Sequence, residues 1–347
     1  MRPIIPALVF VGIGLLFVRV NEPAGTPVTI ALVPSVPSGS TFIAADKGYF
    51  RDAGLDVKIE RIDSLTKAVA FVGTDEVQVG QGGISAGYFN AVAQGLPIVL
   101  ALESGSSPLY HRIIVRPELK DTIKAVADLK GRKVGISAPG STSVYEIGMV
   151  LASAGLRIKD IDLKYLAFSQ MGAALANGAL DAALAVAPFI DSAVAQKIAT
   201  PWIDPEDGHI GQLPLNDVAF VASSEWIKQS PAVARRLFVA LARAGRDYCQ
   251  AYHHGPNRPE VLDIMVKNKI VADRELLDRM DWQARSPDGA FNLDSVDSVQ
   301  TFFKQEAIID KTAPRERLVD GSFAQAAAQE LGPFRLANAA SELQGCR

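Results

Sequence analysis

The stretch KVGISAPGSTSVY, residues 133–145, decides the fold, because a strand, a turn and a helix start follow one another within it. The apolar run 134–136 ends at Pro139-Gly140, and Ser141 then opens a helical pattern of apolar positions. The first N–H groups of such a helix lack partners and carry the positive end of its dipole. The turn therefore predicts a socket for an anionic or strongly polar group. The alternative is that Ser141 only caps its own helix.

The composition is that of a globular chain long enough for two domains. Its 347 residues are 48% hydrophobic and 21% charged, which provides for a full core. The net charge of −3 comes without a stripe of Lys and Arg, so we expect no nucleic acid partner. The cysteines Cys249 and Cys346 have no metal-type spacing, and in an oxidising compartment they could pair.

The first residues have the pattern of a targeting segment. A basic start at Arg2 precedes the almost wholly apolar residues 4–18. That run has the length of a signal-peptide core and is shorter than the ~20 residues that span a bilayer. We therefore predict an exported, periplasmic protein. Residues 1–25 are expected to be either a cleaved signal peptide or an N-terminal anchor.

Short apolar strands alternate with helical patterns from residue 28 onward, which predicts α/β architecture with mostly parallel sheets covered on both faces. Two such units precede a helix-rich tail. They echo one another at an offset of 105 residues, as Gly73 and Gly178, or Val79 and Leu184, illustrate. Any two units of this kind share part of that pattern. Two similar lobes would enclose a cleft at the carboxyl ends of their strands, where open α/β sheets bind ligands.

Several segments resemble a known family. They are FIAADKGYFRDAGLDVKI (42–59), AVADLKGRKVGISAPGSTSVYEIGMVL (125–151), ALANGALDAALAVAPF (174–189) and SSEWIKQSPAVARRLFVALARA (223–244). Together they are similar to the periplasmic solute-binding proteins of ABC importers, in the group that takes sulfonates, taurine, nitrate and thiamine-pyrimidine precursors. The match covers about residues 28 to 270.

The resemblance implies an α/β, two-lobe periplasmic-binding-protein fold of type II, hinged and completed by C-terminal helices. It places the first part of lobe one at 26–115, lobe two at 116–217, and the return to lobe one with the C-terminal helices at 218–347. It also implies a monomer that hands a small solute to an ABC permease in the inner membrane.

Polar loops at the strand ends supply the candidate site. Hydroxyls and N–H groups follow the first strand, glycines in 80–83 permit close approach of a ligand to the backbone, and the 139–143 turn adds a helix start. The candidate ligand-binding residues are Ser35, Ser38, Ser40, Gln81, Gly83, Ser85, Ser104, Gly140, Ser141, Thr142, Pro188, Phe189 and Asp217. His111 stays outside this set, because a lone histidine is more often structural.

The predicted function is capture of a small anionic or polar organic solute by lobe closure. The helix start favours a sulfonate, carboxylate or nitrate. No Arg clamp is evident unless Arg112 or Arg116 reaches inward, so a pyrimidine-like neutral solute stays open. A ligand-sensing domain of a receptor and an enzyme similar to thiamine-pyrimidine synthases are the alternatives. The chain lacks the Cys cluster of that enzyme group, and we predict no catalytic residue, cofactor or metal.

Overall fold

A computed structural model describes residues 25–62, 65–210, 215–337 and 346. The predicted targeting segment therefore lies outside the described residues. Within these ranges, no helix combines the length and the apolar character that crossing a bilayer requires.

The strands of the described ranges are β1 (Thr26–Leu32), β2 (Leu55–Arg61), β3 (Val79–Gly83), β4 (Ile98–Ser106), β5 (Arg112–Val115), β6 (Lys133–Ile136), β7 (Asp162–Tyr165), β8 (Ala182–Ala185), β9 (Thr200–Ile203) and β10 (Asn216–Ser223). The helices are α1 (Gly39–Asp46), α2 (Tyr49–Asp52), α3 (Leu65–Gly73), α4 (Ala86–Gln94), α5 (Thr142–Ala152), α6 (Phe168–Ala176), α7 (Phe189–Ala195), α8 (Ser224–Gln229), α9 (Pro231–Tyr252), α10 (Arg258–Lys267), α11 (Arg274–Arg279), α12 (Leu293–Gln305), α13 (Arg315–Leu318) and α14 (Ser322–Leu331).

Two five-stranded sheets form the two lobes. Their strand orders are β2-β1-β3-β10-β4 and β7-β6-β8-β5-β9. In the first sheet β1 pairs parallel with β2 and β3, and β10 pairs antiparallel with β3 and β4. The second sheet repeats this plan with β6 in the place of β1 and β5 in the place of β10. One strand in each sheet therefore runs against the others, and the echoing β3 and β8 take equivalent positions.

The lobe boundaries differ from the predicted ones by one strand. β5 was expected in lobe one, but it pairs with β8 and β9 of the second sheet. Asn216 and Asp217, expected at the end of lobe two, begin β10 of the first sheet. The chain therefore crosses between lobes at 107–111 and again after Ile203. The sequence of an apolar run such as 113–115 does not indicate which of the two sheets the strand joins.

Two other local expectations are corrected. Residues 80–83, expected in a polar loop at a strand end, lie inside β3. A Cβ on Gly80 would lie 3.0 Å from the Cβ of Ala68 in α3, and one on Gly82 would lie 3.0 Å from the Cβ of Leu65, so these glycines let α3 pack close to the sheet. Strand β9 was not predicted. Its Pro201 fits an edge strand, where a missing N–H is tolerated.

The C-terminal helices return to lobe one, and α12 contacts both lobes. Phe303 of α12 packs edge-on against Phe89 of α4, with ring centroids 6.0 Å apart. The neighbouring Phe302 packs edge-on against Tyr145 of α5, with centroids 5.4 Å apart. One hydrophobic cluster consequently runs from the first sheet through α12 into the second. Cys249 of α9 forms a disulfide with Cys346, which settles the open question of their pairing.

Candidate functional site

A cavity of about 460 Å³ lies between the two sheets. Its wall is formed by residues from both lobes and from the first crossover. They are Val33, Ser35, Val36, Pro37, Leu65, Thr66, Gly82, Gly83, Ser85, Leu109, His111, Ser137, Ala138, Pro139, Ser141, Thr142, Ser143, Ala167, Phe168, Val186, Ala187, Asp217, Val218, Asp281 and Gln283. Carboxyl ends of strands and the beginnings of the helices α4, α5 and α6 therefore meet at one cavity.

The start of α5 is built as an open helix end. Ser141 is its N-cap residue, yet its side chain accepts no capping hydrogen bond. Its hydroxyl instead donates to the main-chain oxygen of Ala138 at 2.9 Å. The amides of Thr142 and Ser143 therefore have no side-chain cap from Ser141, and the interpretation that Ser141 only caps its own helix is wrong.

The same turn also joins the two lobes directly. The hydroxyl Oγ1 of Thr142 donates to the main-chain oxygen of Ile84 at 2.9 Å. The N–H of Ala86 donates to the main-chain oxygen of Gly140 at 2.7 Å. Gly140 has a φ of 63°, and a Cβ there would lie 2.7 Å from the Cβ of Ala86. Glycine is therefore required where the lobes touch.

The structure brings part of the predicted set to the cavity wall. The predicted residues found there are Ser35, Gly83, Ser85, Ser141, Thr142 and Asp217. Those that do not line it are Ser38, Ser40, Gln81, Ser104, Gly140, Pro188 and Phe189.

The predicted residues away from the wall have other partners. Ser38 accepts from the N–H of Ser35 at 2.9 Å, and Ser40 donates to the main-chain oxygen of Pro37 at 3.3 Å, so both shape the loop before α1. Gln81 accepts from Thr41 and donates to Ser104, which places both predicted side chains in a buried polar chain inside lobe one.

The predicted aromatic wall is formed by a neighbouring residue. Phe189 is partly exposed and stacks on Phe168, with ring centroids 6.2 Å apart, and Phe168 is the ring that lines the cavity. At the preceding turn, Ala187 rather than Pro188 lines it. The sequence therefore located the turn at 187–188, where the adjacent residue lines the cavity, whereas the ring at the wall comes from α6 and not from α7.

His111 is the main residue that the predicted set omits. It lines the cavity from the first crossover, and its Nδ1 lies 2.9 Å from Oε2 of Glu146 on α5. Burial lowers the pKa of His111, but the charge of Glu146 and their hydrogen bond outweigh burial and raise it to about 9. Burial also raises the pKa of Glu146. Nothing in the sequence around Glu146, four residues after the start of α5, indicated that its side chain would contact His111.

The charges at the wall differ from those expected for an oxyanion site. Neither Lys nor Arg is among the lining residues. Arg112 pairs with Asp204 at 2.5 Å, and Arg116 pairs with Asp181 at 2.8 Å, so neither reaches into the cavity. Two carboxylates, Asp217 and Asp281, do line it.

Comparisons with known proteins agree with this architecture. The family described as "NMT1/THI5 like" matches residues 38–252, which is more than half of the chain. A putative thiamine biosynthesis protein of Haemophilus influenzae is 30% identical over 145 residues, which cover 41% of this chain and 43% of that protein. The chain therefore spans less than half of the length of this relative.

Solved structures share the fold. The alkanesulfonate-binding protein SsuA from Xanthomonas axonopodis pv. citri, bound to MOPS, is 18% identical with a TM-score of 0.64, covering 87% of this chain and 98% of that one. The periplasmic nitrate-binding protein NrtA from Synechocystis PCC 6803 is 16% identical with a TM-score of 0.69, covering 90% of each chain. The predicted fold class and family resemblance are confirmed.

Proposed function

The chain belongs to the NMT1/THI5-like family, and from that premise we propose that it is the extracytoplasmic solute-binding component of an ABC importer. It captures one small polar solute between its lobes and presents it to a membrane permease. The fold shared with the alkanesulfonate-binding SsuA and the nitrate-binding NrtA supports this proposal.

The observation that carries the proposal is a cavity that is lined from both lobes. Ser35, Thr66 and Ser85 reach it from lobe one, and Ser137 and Ser141 reach it from lobe two. A solute that pairs with both sets at once makes more contacts in the closed form than in the open form, so it shifts the population toward closure. This difference in contacts between the closed and open forms is sufficient for capture of a solute by lobe closure.

The wall chemistry supports binding rather than catalysis. Several of its hydroxyls are bonded to backbone or to one another, as with Ser141 to Ala138 and Ser137 to Ser141. The imidazole Nδ1 of His111 is held by Glu146, and both cysteines are joined in a disulfide. No nucleophile on the described wall has an activating base within hydrogen-bond distance, which covalent catalysis requires.

The solute class follows from the wall as a whole. The cavity combines a largely apolar wall with few polar groups, as small-molecule sites do. Uncapped amides at α5 suit an oxyanion, whereas the absence of Lys and Arg from the wall and the presence of Asp217 favour a neutral, pyrimidine-like solute. Oxyanions and neutral, pyrimidine-like solutes are therefore both included in the binding test.

The test is a solute panel on the chain from residue 26 onward. Thermal shift and calorimetry with taurine, ethanesulfonate, nitrate, benzoate and 4-aminopyrimidine should identify a solute that raises the Tm. Small-angle scattering should then show a smaller radius of gyration. Conversion of the bound solute to a product would favour the enzyme alternative.

A matched pair of variants locates binding in the cavity. Ala138→Trp adds a ring at the wall and should abolish the thermal shift, whereas Ala127→Trp, at an exposed position of the same lobe, should keep it. Binding that survives Ala138→Trp, or a panel in which nothing raises the Tm, would contradict the proposal.

Export and the permease partner belong to the same proposal. Mass spectrometry of the N-terminus, taken from the native host, should find the chain cut near residue 25 or retained whole in the membrane fraction. An intact Met1 on protein from the cytosol would overturn the periplasmic assignment.

A further inference from the structure

Two nearly buried polar side chains face the cavity from the two lobe crossovers. His111 ends the first crossover and Asp217 lies at the start of β10, directly after the second. Each is only 8% exposed, and each lines the cavity. The two positions where the chain changes lobe therefore supply one nitrogen base and one carboxylate to the same wall.

The imidazole of His111 has one nitrogen engaged and one available. Nδ1 is bonded to Glu146, which is itself fully buried. Nε2 has no hydrogen-bond partner among the described residues and is not sealed in the interior. The charge of Glu146 favours the protonated imidazole, in which Nε2 is an N–H donor at the cavity wall.

The carboxylate of Asp217 is arranged in the same way. Its Oδ2 accepts a hydrogen bond from Nε2 of Gln283 at 2.9 Å. Its Oδ1 has no partner among the described residues and is not sealed in the interior. The cavity thus presents one open acceptor, Oδ1 of Asp217, and one open donor, the Nε2–H of His111. The other polar atom of each side chain is hydrogen-bonded to a buried residue.

The surrounding charges oppose an anionic ligand. The positive charge of His111 is balanced by Glu146 at 2.9 Å. The two lining carboxylates, Asp217 and Asp281, have no lining Lys or Arg beside them, and His111, whose charge attracts Asp217, is itself paired with Glu146. An oxyanion has no N–H to give Oδ1 of Asp217, so it would leave a buried carboxylate oxygen unpaired and repelled.

We propose that Asp217 and His111 form the specificity-determining anchor of this site, and that they select a solute with an N–H donor beside a hydrogen-bond acceptor. A carboxamide, a lactam or an amino-substituted ring nitrogen has such an edge. The N–H donates to Oδ1 of Asp217, and the acceptor receives the Nε2–H of His111. This inference rests on the proposed function, since it names the solute class of the same cavity.

Three probes of almost equal shape test the edge chemistry. Benzamide offers a donor and an acceptor, benzamidine offers donors only, and benzoate offers acceptors only. Calorimetry should give benzamide the highest affinity of the three and benzoate the lowest, about tenfold or more weaker, because one unpaired buried group has a cost of this order. Benzoate binding as tightly as benzamide overturns the inference.

Isosteric variants separate direct contact from charge. Asp217→Asn replaces the open acceptor and should lower the ratio of benzamide to benzoate affinity by about tenfold. Asp121→Asn removes the same charge from an exposed position away from the wall and should change that ratio less than twofold, about the scale of a screened surface charge. Equal effects of the two variants would overturn the direct contact, and an unchanged Tm without ligand confirms that both fold.

The outcome also distinguishes this inference from the proposed function. If taurine, nitrate or ethanesulfonate is the tightest binder of the panel, the protein is still a solute-binding component, but the anchor is wrong. If no probe and no panel solute binds, the proposed function itself fails. If the tightest panel solute is 4-aminopyrimidine, which has an N–H donor beside a ring acceptor, and it loses affinity in Asp217→Asn, the anchor is supported.

Discussion

Thr142 Oγ1 donates a hydrogen bond to the main-chain oxygen of Ile84 at 2.9 Å, and this bond joins lobe two to lobe one. Thr142 is the first residue of α5, and Ile84 lies between β3 and α4. The bond needs no ligand, because both atoms belong to the chain. A residue that sequence reasoning assigned to the ligand therefore also holds the lobes together, which means that closure has an intrinsic polar contribution.

Replacing Thr142 by Val should shift the lobe equilibrium toward the open form. The variant keeps the β-branched shape but removes the donor to Ile84, and a hydrogen bond of this kind contributes about 0.5–1.5 kcal/mol. The ratio of closed to open molecules without ligand should fall about two- to tenfold. Small-angle scattering or a distance measurement between labels on the two lobes checks this. Thr142→Ser retains the hydroxyl and should behave as the parent, and an unaltered equilibrium in Thr142→Val would contradict the prediction.

The His111–Glu146 pair should make stability depend on pH. The pKa of His111 is raised to about 9 in the folded protein from 6.5, so the folded state holds this proton more tightly than the unfolded state. Its contribution is fully present below pH 6.5 and is lost as the pH rises through 9. Urea unfolding between pH 6 and 9.5 should show a steeper loss of stability in the parent than in His111→Gln.

Glu103 serves as the internal control for that experiment. Burial raises the pKa of Glu103 to about 8, so its contribution is present below pH 4.5 and is lost as the pH rises through 8. This loss is common to the parent and His111→Gln, and subtracting the two curves isolates the contribution of the His111–Glu146 pair. If the free energies of unfolding of the parent and His111→Gln change in parallel with pH, the imidazole does not titrate between about pH 6 and 9.5, and the prediction is wrong.

The sequence predicted the order of elements better than the side chains that meet between them. Strand and helix periodicity located the alternation, and the echo between β3 and β8 corresponds to equivalent sheet positions. The strands that reverse direction, β5 and β10, were assigned by position alone. Their pairing is a long-range choice that the pattern of a short apolar run does not encode.

The candidate site was predicted at the level of loops. Turns at strand ends are visible in sequence, and Ser35, Ser85 and Ser141 reach the wall as expected. Gln81 also lies in a polar, glycine-rich stretch after a predicted strand, but its side chain forms hydrogen bonds with Thr41 and Ser104 inside lobe one. Which polar group faces a cavity depends on tertiary partners, and these are not readable from spacing along the chain.

Breaking the disulfide should lower stability by about 2–5 kcal/mol, since it closes a loop between residues 97 positions apart. Urea unfolding of Cys249→Ser, Cys346→Ser and the double variant measures this. If the bridge is the cause, each single variant should lose as much as the double variant, because either one removes the same bond. Additive losses, or full stability under reducing conditions, would show that the bond itself does not stabilise the fold.

Gly148 should be essential to the contact between α5 and α12. A Cβ at Gly148 would lie 2.1 Å from Cζ of Phe302, whose ring is held edge-on by Tyr145. Gly148→Ala should therefore lower the free energy of unfolding by about 1–3 kcal/mol, despite the better helix propensity of Ala. Gly172→Ala is the matched control, because Gly172 lies within α6 with nothing within 4 Å of its Cβ position, and it should stabilise by about 0.5–1 kcal/mol.

Since α12 carries one hydrophobic cluster across both lobes, Gly148→Ala should also weaken solute binding, which Gly172→Ala should not. Equal stability of the two variants would show that α5 does not rest on α12.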